Sequence, residues 1–242
     1  PAAALSVAAV AVRRTDLTKG ITLSAEFRPY QEANLHAKEA GYLKTINVDI
    51  GDQVKAGQVI ATLDIDELKD DLRHAEAAYH DAKLDYDRVS AVIRKRPGLL
   101  AQAEVDKARA DYEMAKANEE KAKTLLEYAT ITAPFDGIVT RRYVDPGTLI
   151  QAGVSSNTQA VPIVHIAENS RLRLDFPVPE SVVPEVHPGT PVQVTVQDTG
   201  QVINTTVARI AGKIDNSTRT METEVDIDNA DRRIMPGMYA SV

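Results

Sequence analysis

The sequence predicts a mainly β protein in which an α-helical hairpin interrupts a split β-sandwich and an antiparallel β-barrel follows. Three observations predict it. A glycine-punctuated β pattern starting at Gly41 is written again from Gly137, an offset of 137 − 41 = 96 positions. A heptad seam fills the interval between the two copies. From Arg171 the apolar period becomes two, with turn signals between the runs.

Composition bounds the reading. A chain of 242 residues can hold one large domain or two to three small ones. A formal net charge of −7 argues against nucleic acid as a partner, because phosphate binding needs a basic face. The absence of Cys excludes disulfides, thiolate metal sites and cysteine catalysis. The sequence has no run of about 18 apolar residues, so no segment reads as a bilayer span. PAAALSVAAVAV at the start is apolar but short; it reads as a strand or the remnant of a signal segment, and the start at Pro1 reads as processed or trimmed.

Taken in order, ITLSAEF from Ile21 reads as a strand added to the barrel. The first copy, GYLKTINVDIGDQVKAGQVIATLD, and the second, GIVTRRYVDPGTLIQAG, share Gly41/Gly137, Val48/Val144, Asp49/Asp145, Gly51/Gly147, Ala56/Ala152 and Gly57/Gly153, with Ala37/Ala133 upstream. Glycines are expected where turns need positive φ, valines where a strand points inward. The copies end in VIATLD and VPIVHI, and the second carries an extra polar loop, SSNTQA. Between them, Leu68, Leu72, Ala75, Tyr79, Ala82, Tyr86, Val89 and Ile93 form a first seam. Ala101, Val105, Ala108, Tyr112, Ala115, Ala122 and Leu126 form a second, interrupted at Glu119. Pro97-Gly98 breaks the helix between them. Arms of about 28 residues would be about 42 Å long. The barrel runs are RLRLDFPV, PVQVTVQD, QVINTTVARI and TMETEVDID. Turns are expected at His187-Pro188-Gly189, Asp198-Thr199-Gly200, Asp215-Asn216 and Met235-Pro236-Gly237.

Four stretches carry a family resemblance: the first half-motif, the heptad hairpin, TITAPFDGIVTRRYVDPGTLI, and TRTMETEVDIDNADRRIMPGMYASV with its Asn-to-Pro-Gly-Met ending. Together they resemble the periplasmic adaptor subunits, or membrane fusion proteins, of bacterial tripartite efflux pumps. The resemblance implies a lipoyl-like barrel-sandwich hybrid domain in two halves, 31–65 and 129–168, around a coiled-coil hairpin at 66–128. A β-barrel would fill 169–242. Residues 1–30 would supply N-terminal strands, a remnant of a membrane-proximal domain and the barrel edge. It further implies an inner-membrane transporter and an outer-membrane channel as partners, a ring of copies, hexameric in the family, and a periplasmic location with anchoring through a removed N-terminal segment. Arms of this length resemble adaptors of resistance-nodulation-division (RND) pumps more than those of ATP-driven exporters.

The candidate docking residues are Arg88, Val92, Arg94, Lys95, Arg96, Leu99 and Leu100 at the hairpin tip. Channel-docking adaptors often carry Arg, Leu four on and Ser seven further. Arg88 fits the first position, Val92 replaces the Leu, and Leu99 (or Ala101, for a longer loop) stands where Ser is usual. Arg94-Lys95-Arg96 also suits a helix C-terminus for its dipole alone. No cofactor, metal or catalytic residue is expected. Lipoyl and biotinyl carriers place their lysine at a hairpin tip that the helices here replace. Lys55 remains as a candidate for a carrier reading, in a different turn. His74 and His80, six apart, lie on different sides of a helix, and His36, His165 and His187 fall outside any metal-ligand spacing.

Overall fold

The computed structural model describes residues 11–12, 20–96, 98–153 and 160–242. All of the expected strand SVAAVAV but Ala11 and Val12, all of the SSNTQA loop but Ala160, and Pro97 lie outside them. The chain divides into two compact units. The larger is Arg28–Arg173 with Asp226–Pro236; the other is Leu174–Val225 with Gly237–Val242 and the N-terminal segment through Phe27.

The first copy supplies strands β3 (Gly41–Ile46), β4 (Gln53–Val54) and β5 (Val59–Asp64). The second supplies β7 (Gly137–Arg142), β8 (Leu149–Ile150) and β9 (Val164–Ala167), and β2 (Glu32–Leu35) and β6 (Thr130–Thr132) flank them. They form two four-stranded sheets, β2-β9-β7-β4 and β6-β5-β3-β8. Each copy lends its short middle strand to the other. Gly41 pairs with Ile150 and Tyr42 with Leu149, while Gly137 pairs with Val54 and Ile138 with Gln53. The hydrogen bonds repeat as well: Leu43 N donates to Thr148 O at 2.9 Å and Val139 N to Asp52 O at 2.9 Å. Neither copy completes a sheet alone, so the two half-motifs are one split sandwich.

The core obeys the same pseudo-two-fold relation. Ala37 and Ala133, Leu43 and Val139, Val48 and Val144, and Val54 and Ile150 are all buried, joined by Ile60, Ile163 and Ile166. Full burial of each large aliphatic side chain contributes about 1.5–3 kcal/mol. The repeated glycines divide by cause. Gly51 and Gly147 hold φ of 93° and 88°, as expected of the turns. Gly41 and Gly137 do not; a Cβ at Gly137 would stand 2.7 Å from the Ala167 carbonyl oxygen, and one at Gly41 2.7 Å from Ile65 Cγ1. Close approach of neighbouring chain, not turn geometry, requires them.

The hairpin comprises α1 (Asp66–Lys95) and α2 (Gln102–Glu127), about 45 and 39 Å long. The seam residues are half-buried and no residue of either helix is buried. Two expectations are corrected. Glu119 is half-buried in line with its seam neighbours, so the seam runs past it, and Ala101 is the exposed N-cap of α2. Midway, Tyr112 stacks on Tyr86 at 5.2 Å and meets Tyr79 at 5.7 Å. At the base, Leu63 N donates to Ala129 O at 2.8 Å. The two ends of the insertion are therefore adjacent, which is what a loop-tip insertion needs.

The C-terminal strands are β10 (Arg171–Pro179), β11 (Pro191–Val196), β12 (Val202–Thr206), β13 (Arg209–Asp215), β14 (Thr220–Asp228) and β15 (Tyr239–Ser241). With β1 (Ser24–Pro29) they form a seven-stranded sheet ordered β12-β11-β15-β1-β10-β14-β13. ITLSAEF thus supplies a central strand. QVINTTVARI is two strands rather than one. Buried Val207 turns inward between them, bonding through its N–H to Thr190 O, and the chain exchanges β11 for β14 as its partner.

Candidate functional site

The hairpin tip is built by the end of α1 and its turn. Residues 88–103 contain Arg88, Arg94, Lys95 and Arg96 and no carboxylate. Arg94 and Lys95 lie in the last turn of α1, where cations oppose the helix dipole, and Arg96 is its C-cap, donating its N–H to Val92 O at 2.9 Å. Leu99 N donates to Arg96 O at 3.3 Å, and Gly98 takes φ of 87° between them. Leu99 is 61% exposed, Leu100 and Val92 are half-buried, and the three basic residues at 94–96 are exposed. Arg88 lies about two turns below and is held by Asp85 of its own helix at 2.8 Å. The structure therefore gathers Val92, Arg94, Lys95, Arg96, Leu99 and Leu100 at the tip, while Arg88 belongs to the shaft just beneath it. Lower on the shaft, the bond from Lys69 holds the Asp66 carboxyl below its usual range.

The motifs that carry the resemblance prove to be joints. In APFDG, Ala133 exchanges backbone hydrogen bonds with Gly57 and Gln58, Asp136 Oδ1 accepts from Ala56 N at 2.7 Å, and Gly137 admits Ala167. One short motif thus clamps the second copy onto the 55–58 turn of the first. Near the other signature, Asn229 is 1% exposed. Its Nδ2 donates to Asn169 O and Ile234 O, both at 2.8 Å, and its Oδ1 accepts from Ile234 N at 3.1 Å. That amide holds the loop before the Pro236-Gly237 turn. Both motifs stand out in the sequence but their contacts do not; the Asp next to Gly137 in APFDG is the one local signal, and Asn229, seven residues before Pro236, carries none.

The remaining candidates stay apart. Lys55 is exposed in its turn, and His74 and His80 are exposed on α1. His165 Nε2 sits 3.5 Å from a Glu32 oxygen within the sheet. No cluster of three or more metal-ligating side chains occurs among the described residues, and none of their helices is long and apolar enough to cross a membrane.

A split barrel-sandwich interrupted by a helical hairpin and followed in sequence by a β-barrel defines a class of scaffold protein. Comparison with known proteins gives its family. The profile of CzcB-like barrel-sandwich hybrid domains matches residues 31–160, and that of CusB-like β-barrel domains matches residues 172–242. The chain belongs to the membrane fusion protein family of RND-type periplasmic adaptors. Nodulation protein NolF of Rhizobium meliloti is 26% identical over 93% of this chain and 63% of its own length. Multidrug resistance protein MdtA of Yersinia pestis is 26% identical over 83% of this chain and 49% of its own. The chain thus spans about half to three fifths of these relatives. Among solved structures, a MacA–MexA chimera carrying the Pseudomonas aeruginosa MexA α-hairpin domain superposes with a TM-score of 0.79 at 22% identity, covering 91% of this chain and 79% of the chimera. That likeness establishes the fold.

Proposed function

We propose that this chain is a non-catalytic periplasmic adaptor that couples an inner-membrane RND transporter to an outer-membrane channel for export of small molecules. The observation that carries the reading is the hairpin. Two helices without a buried residue leave the sandwich at one point and end in an acid-free tip carrying three cations, Arg94, Lys95 and Arg96, on a protein of net charge −7. An arm of that kind suits contact with something outside its own fold. Arg, Lys and exposed Leu at its end fit a rim of carboxylates, backbone carbonyls and apolar side chains. Family membership and the multidrug-resistance relative MdtA support export as the role. The working domain partition is 31–65 with 129–168, 66–128 and 169–242. Copies would assemble as a ring, hexameric as in the family, through two different faces of each subunit, anchored to the inner membrane through an N-terminal segment.

Two experiments test this. Replacing Asp66–Tyr128 by a short linker is expected to leave a folded β protein that supports no efflux, since Leu63 and Ala129 are already in contact. Retained efflux would end the adaptor reading. Arg88→Ala with Arg94→Ala is expected to reduce channel capture and efflux with stability changed by no more than about 0.5 kcal/mol, because both side chains are exposed. A loss of about 1 kcal/mol per tip would sum to about 6 kcal/mol over six independent copies. Normal efflux at normal expression would assign docking to Val92, Leu99 and Leu100. The competing carrier reading predicts an added mass on Lys55, which intact mass spectrometry of the native protein reads directly.

A further inference from the structure

The hairpin joins the sandwich through two chain crossings, Ile65 between β5 and α1 and Tyr128-Ala129 between α2 and β6. The hydrogen bond from Leu63 N to Ala129 O holds them side by side. Two adjacent crossings leave one motion open, a tilt of the arm about the line between them. The arm multiplies any such motion. With the tip about 40 Å from the root, a tilt of about 10° moves it by about 7 Å. A tip that must meet a partner therefore needs its root held by contacts beyond the crossings themselves.

Three contacts span the root. Ile65 makes the apolar one: it packs on the sandwich core, and the missing side chain of Gly41 admits it. The second is ionic. Asp64, the last residue of β5, lies 3.4 Å from Lys44 of β3 and 3.7 Å from Lys69 of α1, and Lys69 also holds Asp66 at 2.8 Å. One carboxylate thus ties the first turn of α1 to the neighbouring strand. The third serves the other helix. Lys38 Nζ stands 4.4 Å from the ring centroid of Tyr128, the C-cap of α2. Lys38 comes from the segment between β2 and β3, and that segment is itself fixed: its neighbour Ala37 is buried and accepts a hydrogen bond from Gly153 N at 2.9 Å. Lys38 and Lys69 are both exposed, so neither is needed to fill the core. The other ion pairs of the hairpin, among the described residues, join residues three or four apart within one helix. Such pairs stiffen a turn, whereas those at the root cross from helix to sheet.

We propose that Lys38 and Lys69 are positioning residues for the hairpin tip: two cations that clasp the roots of the two helices to the sandwich and set the angle at which the arm leaves it. Exposed charge contacts add little to global stability, so the effect of these two falls on direction. The proposal rests on the adaptor reading for its purpose, and its test needs no partner. The chain contains no Cys, so spin labels on Leu99→Cys and Lys55→Cys report the tip-to-sandwich distance. Labelled chain diluted in unlabelled chain is measured by double electron–electron resonance. Lys38→Ala with Lys69→Ala is expected to broaden the distance distribution by about 5 Å or more, at unchanged helical circular dichroism and melting temperature. Lys38→Arg with Lys69→Arg should restore the parent width, because a guanidinium keeps both the ring contact and the ion pair. Arg109→Ala, which removes a pair within α2, should leave the width unchanged. An unchanged width in the double-alanine variant, an equal broadening from Arg109→Ala, or a broadening that comes with lost helicity would overturn the proposal. Broadening with rescue, found beside normal efflux in the hairpin-deleted chain, would keep the clasp and sink the adaptor reading.

Discussion

The sandwich and the hairpin are contiguous in sequence yet obey opposite rules. In the sandwich, Leu43, Ile60, Val139, Ile163 and Ile166 are all but sealed from solvent, and nearly every strand pairs with one distant in sequence. Among the described residues of the two hairpin helices no side chain is sealed, and the contacts are a half-exposed seam, one tyrosine layer and short-range ion pairs such as Arg88–Asp85 and Arg109–Glu113. Such exposed pairs are screened by solvent and contribute little to stability. The difference teaches where the fold is specified and where the surface is left for use. The sandwich spends its apolar side chains on itself, whereas the hairpin keeps much of its surface open to a neighbour.

The largest effect expected is at the sealed core. Ile163→Ala should cost about 2–5 kcal/mol, whereas Val89→Ala on the half-buried seam should cost about 1 kcal/mol or less; equal costs in denaturant titrations would erase the contrast. Asn229→Ala strands the Ile234 N–H and two carbonyls and should cost about 2–4 kcal/mol, with loss of amide exchange protection at Ile234. Gly137→Ala should cost about 1–3 kcal/mol because the obstacle is the Ala167 backbone. Gly41→Ala should cost less, since it meets the Ile65 side chain instead; the reverse order would break the assignment of the two glycines. Tyr112→Ala should remove about 1–2 kcal/mol, visible as helical circular dichroism lost at lower temperature while sheet signals persist.

The smallest effect concerns acid. Lys69, by hydrogen bond and charge, holds Asp66 of the hairpin below its usual pKa, whereas the hydroxyl and N–H of Ser217 and the N–H of Thr218 do so for Asp215. A depressed carboxyl contributes stability that is complete above its unfolded value, 3.8 for both, and is lost as pH falls through the lower folded one. Added salt should shrink the contribution at Asp66, which depends on a charge, more than that at Asp215, where neutral donors outweigh the charge of Lys213. Acid titrations of Asp66→Asn and Asp215→Asn at two salt concentrations read this directly.

How much was legible follows from the range of the forces involved. The seam from Leu68 to Ile93, the break at Gly98, and β14 at TMETEVDID were readable because side-chain period is set by local backbone geometry. The copy at an offset of 96 was readable because paired turns and inward positions demand the same residue types. Of the candidate site, the tip residues could be named from their position beside the helix break. That Arg88 spends its charge on Asp85 could not be read, since one rotamer decides it.

Sequence by itself determined the order of the parts: half a sandwich, a helical excursion, the other half, a barrel. Tertiary structure decided which strand completes which sheet, why Gly41 and Gly137 lack side chains, where QVINTTVARI bends, and that Lys55 and Arg232, 232 − 55 = 177 positions apart, line one cleft. Those are meetings between residues remote in the chain. Periodicity reports only which face of an element is apolar, and it is long-range packing that brings particular faces and charges together.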